Sequence, residues 1–234
     1  MKKLGLVGGI GYLSTLDYYK GINEGYQKRV NSQSKSGENP PMVIESLNLA
    51  VAYDLVEKKD WDGFTGLFVD AIRNLYIAGA DFAAIAANTA HIVIDEVRVQ
   101  SPIPIIGIVD ETCKRAKQLG LQKLIVFGTG FTMSSGIYEA KCAEYDIEAI
   151  IPCETDRQTI HNIIFPNLEA GIVLEHERET ILKIARDILF EHNADALVLG
   201  CTELSLVVKN GDLDTTLLDT GSIHIEAILD YILG

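Results

Sequence analysis

At 234 residues the chain is long enough for one large domain or two of roughly 100–150 residues, and either can bury a sizeable core. Its formal charge of −13 disfavours nucleic acid and anionic membrane surfaces as partners unless a basic patch exists, and Lys2-Lys3, Lys58-Lys59 and Lys114-Arg115 are scattered pairs rather than a patch. No stretch approaches the roughly 20 apolar residues of a membrane span, and the lysine-led start MKKLGLVGGIGY is broken by glycines with no cleavage site after it, so a cytoplasmic protein is expected.

In chain order, short runs rich in Val, Ile and Leu alternate with longer segments of helical period, the pattern of an α/β fold with mainly parallel sheets. Strands are expected at residues 4–7, 42–46, 82–86, 105–108, 124–127, 148–151, 196–199 and 217–219. Helices are expected at 14–29, 61–78, 92–99, 110–119, 133–145, 156–165 and 175–192, with SQSKSGENPP at 32–41 an exposed loop. The cysteines, Cys113, Cys142, Cys153 and Cys201, form no Cys-x-x-Cys pair and have no histidine at metal-ligand spacing. That argues against a disulfide framework or a structural zinc site.

The chain also resembles itself. KLGLVGG at 3–9 is similar to KLIVFGT at 123–129, with Tyr18 matching Tyr138 at the same offset, and ADFAAIAANT at 80–89 is similar to ADALVLGCTE at 194–203. Two matches in the same order predict two pseudo-symmetric lobes, residues 1–105 plus 215–234 and residues 106–214, although βα units often look alike one at a time. Ala87 and Cys201 would then sit at equivalent strand ends. In open α/β sheets those carboxyl ends face the ligand crevice, which places the site in the cleft between the lobes.

Several segments could carry chemistry. Gly8-Gly9-Ile10-Gly11 follows a strand and precedes a helix, but Leu13 replaces the third glycine of a dinucleotide fingerprint and no Gly-Lys-Ser/Thr is present. Its backbone N–H groups, including that of Ile10, could face a carboxylate at the helix start, or the loop could be a structural turn. Cys201, in Gly200-Cys201-Thr202-Glu203, is either a small buried hydrophobe or a working thiol. In the second case its pKa must fall from about 8.5, through donors or a helix start that the following stretch could supply. Asn88 and Thr89 offer donors for a small carboxylate, Asn88 also being a good helix N-cap. His91 reads first as structural. Thr129, Thr132, Ser134 and Ser135 could form another wall of an anion site or cap locally, with Thr132 or Ser134 as the cap. His224 reads as a solvent-facing helical residue.

On LGLVGGIGYLST, AANTAH, FGTGFTMSSGIY and LGCTEL the chain resembles the aspartate/glutamate racemase family along nearly its whole length. EGYQKR, ESLNL, NIIFPNL and DTGSIHIEA resemble the bacterial broad-specificity aspartate/glutamate racemases. The resemblance implies two facing α/β lobes and racemisation with no pyridoxal phosphate and no metal. Two acid/base residues would work on opposite faces of the α-carbon of a small dicarboxylic amino acid. By position Cys201 resembles one of them, and Ile10, Asn88, Thr89, Thr132 and Thr202 resemble the substrate-binding set.

Ala87 stands where the family places cysteine or, in some members, threonine, so the chain is either an engineered substitution or a natural one-base variant. Tyr53 and Glu169 stand where Arg and Lys would contact substrate. Alternatives are a single-cysteine decarboxylase, as in the similar arylmalonate decarboxylases, or a non-catalytic protein that binds small carboxylates. A homodimer is the default assembly.

Overall fold

The computed structural model describes residues 1–30 and 37–234. Each of its two units is built on a four-stranded parallel sheet: one comprises Met1–Ile108 with His224–Gly234, the other Val109–Ile223. Of the expected loop at 32–41, residues 37–41 have no regular structure and 32–36 lie outside the described residues.

In the first unit the sheet contains β1 (Leu4–Gly8), β2 (Met42–Ser46), β3 (Phe82–Ile85) and β4 (Ile105–Ile106), in the order β2-β1-β3-β4. Leu6 pairs with Ile44 on one side and Ala84 on the other. The central strands are buried on both faces, which is why they read as unbroken apolar runs. Alternation then sorts the faces. Val7, Ala83 and Ile85 pack with Phe64, Phe68 and Ile72, while Leu4, Leu6, Phe82 and Ala84 pack with Tyr18, Ile22 and Ile228.

Helix α1 (Tyr12–Arg29) buries Ser14, Tyr18, Ile22 and Tyr26, one residue per turn on a single stripe. Helix α2 (Leu49–Glu57) is capped by Asn48, whose side chain accepts from the Ala50 N–H, and α3 (Trp61–Ile77) is capped by Asp60 through the Gly63 N–H. A 3₁₀ turn over Thr89–Val93 leads into α4 (Ile94–Gln100), and α5 (Ile108–Gln118) starts two residues beyond β4.

The second sheet holds β5 (Lys123–Phe127), β6 (Glu148–Ile150), β7 (Ala196–Leu199) and β8 (Thr216–Asp219) in the order β6-β5-β7-β8, the same order as the first. Around it lie α6 (Gly130–Ser134), α7 (Ile137–Ala143), α8 (Glu154–Ile164) and α9 (Glu175–His192), with 3₁₀ turns over Leu168–Ala170 and Thr202–Leu206; α10 (Thr220–Leu233) closes the chain. Ile125, Phe127, Leu197 and Leu199 pack on Ile160, Ile164, Ile181 and Ala185.

Three expectations change here. The single helix expected at 133–145 is two, because Gly136 adopts φ 77° between α6 and α7. The strand expected at 105–108 is two residues long, since Ile108 already opens α5. Helices α2 and α10 had no expected counterpart: α2 is short, and α10 follows β8 with no break. Among the described residues no helix is long and apolar enough to cross a membrane.

Candidate active site

The carboxyl end of the first sheet gathers Ile10, Ala87, Asn88 and Thr89. The loop after β1 folds back on itself: Gly9 has φ 84°, and a Cβ there would lie 2.2 Å from the Leu47 carbonyl oxygen, so only glycine fits. The Gly9 N–H donates to Thr15 Oγ1 at 2.9 Å, and the Ser14 hydroxyl donates to the Ala86 carbonyl at 3.1 Å, tying this loop to the end of β3. Gly11 precedes α1 without a side-chain cap. Ile10 and Ala87 are both partly buried against the same apolar cluster. Asn88 is buried, but its backbone is already helical and its side chain does not cap the following turn, contrary to the capping role expected for it.

His91 is buried and structural. The Ile108 N–H donates to its Nε2 at 3.0 Å, so Nε2 is the acceptor nitrogen and Nδ1–H donates to the Ala87 carbonyl at 2.9 Å. That neutral tautomer has no lone pair left for general-base work. His224, expected to face solvent, is fully buried. Its Nε2–H donates to the Ile106 carbonyl at 3.0 Å and Nδ1 accepts from the Tyr18 hydroxyl at 2.7 Å. The reversal arises because its helix face turns onto β4 and α1, which helical period alone does not reveal.

At the carboxyl end of the second sheet stand Thr132, Cys201 and Thr202. Gly200 donates to the Phe127 carbonyl at 2.7 Å, and a Cβ on it would approach that oxygen to 2.8 Å, so β7 leaves the sheet through a position reserved for glycine. Thr132 is buried. It is not the cap of α6; Thr129 is, accepting from the Thr132 N–H at 3.2 Å, while Ser134 donates back to the Gly130 carbonyl. Thr220 donates to the Leu199 carbonyl at 2.9 Å and closes the neighbouring strand end.

Cys201 is 7 % exposed, and its thiol donates to Glu203 Oε2 at 2.9 Å; the Thr202 hydroxyl donates to the same oxygen at 2.8 Å. Glu203 is itself buried. The thiol pKa is pushed well above its ordinary value, first by burial, then by the charge of Glu203 and its hydrogen bond, then by Glu169; a backbone N–H of Glu203 opposes this. The lowered thiol pKa expected from the segment after Cys201 is therefore not found. That segment is a short 3₁₀ turn beside two carboxylates rather than a long helix start.

Glu169, in the 3₁₀ turn over Leu168–Ala170, completes the cluster: its carboxylate, the Cys201 sulfur and a Glu203 oxygen all lie within 4.8 Å of one another. Burial, then the charge of Glu203, raises the Glu169 pKa to about 7. One thiol and two carboxylates without a histidine suit a metal poorly, because zinc sites draw on imidazole and thiolate and hard cations on six or more oxygens. The set suits proton transfer. Glu203 was visible in the motif beside Cys201; Glu169, singled out through the family resemblance, is distant in sequence, and its meeting with Glu203 comes only from the fold.

The other cysteines are placed for packing. Cys113 and Cys142 are buried with sulfurs 3.1 Å apart, the hydrogen bond to Cys142 and then burial pushing the Cys113 thiol pKa up, and Cys153 is exposed, donating to Asp156. Tyr53 is exposed on α2.

The family described as Asp/Glu/hydantoin racemase matches residues 7–228. Among similar proteins, the broad specificity amino-acid racemase RacX of Bacillus subtilis (strain 168) is 24% identical over 219 residues, 94% of this chain and 93% of that one. A crystal structure from Yersinia pestis assigned as an Asp/Glu racemase superposes over 100% of both chains with a TM-score of 0.92 at 31% identity. An aspartate racemase homologue from Pyrococcus horikoshii OT3 does so over 100% of both with a TM-score of 0.86 at 28% identity.

Proposed function

We propose that this chain, which belongs to the Asp/Glu/hydantoin racemase family, exchanges the α-proton of a free amino acid through Cys201. The observation that carries the reading is the buried thiol hydrogen-bonded to Glu203 at the end of β7. At rest the proton sits on sulfur. To abstract an α-proton, the S–H bond breaks as Glu203 takes its proton, and the thiolate then accepts the proton leaving carbon; in the reverse direction the thiol gives its proton to the carbanion and Glu203 restores it. Such a positioned acid/base contributes about 10²–10⁴-fold.

The carbanion develops charge on the adjacent carboxylate. Each unit offers donors of the kind that would hold it: Asn88, Thr89 and the Ile10 N–H at the end of the first sheet, and Thr132 and Thr202 at the end of the second. The family resemblance makes aspartate and glutamate the first substrates to examine. Ala87 carries no proton, and His91 offers none, so the reading is of a one-base enzyme acting on one face of the α-carbon. No cofactor is assigned a step.

The test follows α-proton exchange in deuterated water by NMR across the D- and L-amino acids. Exchange with one enantiomer, abolished in Cys201→Ser and reduced about 100-fold in Glu203→Gln, is the expected result. Ala87→Cys is expected to speed interconversion of the two enantiomers. If no amino acid exchanges with the native chain or with Ala87→Cys, the reading fails. Carbon dioxide release from an arylmalonate, without amino-acid exchange, would instead assign the thiol to one-sided protonation after decarboxylation.

A further inference from the structure

Within the cluster at the end of β7 the two carboxylates are used differently. Glu203 accepts hydrogen bonds from both Cys201 and Thr202. Glu169 lies within 4.8 Å of both the thiol and the Glu203 carboxylate, yet among the described residues its carboxylate takes part in no hydrogen bond or ion pair. The charges acting on the Cys201 thiol are those of Glu203 and Glu169, and the charge acting on Glu169 is that of Glu203, with no lysine or arginine among them. A carboxylate half-sunk beside another is unfavourable when ionised, and a cation placed against it relieves that directly. A third carboxylate there would meet two like charges in a partly dehydrated place.

We propose that Glu169 selects substrates whose side chain carries a positive charge, an amine or a guanidinium. The inference rests on the reading of Cys201 as the acid/base. It departs from the dicarboxylic substrate implied by family resemblance. Glu203 is engaged through Oε2 by the thiol and the Thr202 hydroxyl, whereas neither oxygen of Glu169 is engaged among the described residues. Glu169 stands close enough to the thiol for a side chain to reach it while the α-carbon faces sulfur.

The experiment compares kcat/KM for α-proton exchange of lysine, arginine, glutamine and glutamate, each in the reactive enantiomer, on the native full-length chain and on Glu169→Gln. Lysine or arginine is expected to exceed glutamine and glutamate by at least about tenfold. Glu169→Gln is expected to bring the ratio of lysine to glutamine kcat/KM down to about one, whatever the change in overall rate. The isosteric variant keeps the packing of the turn, and native-like circular dichroism establishes that it folds. Glutamate exchanging as well as or better than lysine overturns the inference and leaves the racemase reading intact. An equal loss for all four substrates also overturns it, by assigning Glu169 to the α-ammonium group they share. Absence of exchange with every amino acid defeats the racemase reading and this inference with it.

Discussion

The Cys201 thiol donates its proton in a hydrogen bond to a Glu203 carboxylate oxygen 2.9 Å from the sulfur, and the surroundings of the thiol decide how readily it leaves. Burial and negative charge keep it on sulfur, so the resting thiol is a proton donor, and ionisation has to be drawn out by what binds beside it. Glu169 senses the same field from a wetter position. Its pKa near 7, against an ordinary 4.5, means that folding favours its protonated form. The stabilisation linked to that proton is fully present below pH 4.5 and is lost as pH rises through about 7. Thermal midpoints of the native chain and Glu169→Gln are therefore expected to separate in favour of the variant between pH of about 5 and about 8. A constant difference across that range would show that Glu169 does not titrate there.

At the scale of elements, the helices depart from their expected spans where one residue's backbone is decisive. Gly136 is left-handed and nothing lies within 4 Å of a Cβ placed on it, so substitution there has a purely conformational cost. Gly136→Ala is expected to lower stability by about 1–2 kcal/mol, and Gly136→Asn by less, because asparagine visits this conformation more readily; urea midpoints measure both. Equal effects would contradict the backbone explanation. Hydrophobic period could not reveal the break, since Met133, Tyr138 and Cys142 are buried on both sides of it. Nor could it foresee α2, which buries only Ala52 and is held by the Asn48 cap. The strands were easier to read: Leu4, Leu6, Leu124, Val126, Leu197 and Val198 are fully buried, so their runs are apolar without interruption.

Across the whole molecule, distant parts of the sequence close polar networks that no local pattern predicts. Tyr18 in α1, Ile106 in β4 and His224 in α10 form one buried chain of hydrogen bonds, and Arg29 pairs with Glu226 and Asp230 along the same helices. His224→Leu would leave the Tyr18 hydroxyl and the Ile106 carbonyl buried without this partner. A loss of about 1–3 kcal/mol for each buried hydrogen bond removed is expected, read as a lower thermal midpoint. Tyr18→Phe should cost less than His224→Leu, since it removes one of the two bonds. The α/β class, the two apolar strand–helix repeats, the glycine turn after β1 and the thiol after β7 were all legible in the sequence. They depend on neighbours a few residues apart or on burial so complete that polar residues are excluded. The protonation of Cys201, the tautomers of His91 and His224 and the meeting of Glu169 with Glu203 were decided only by the tertiary structure. Charge and hydrogen bonding act through space, and residues 169, 201 and 203 become one electrostatic unit only when the turn at Leu168–Ala170 packs beside the end of β7.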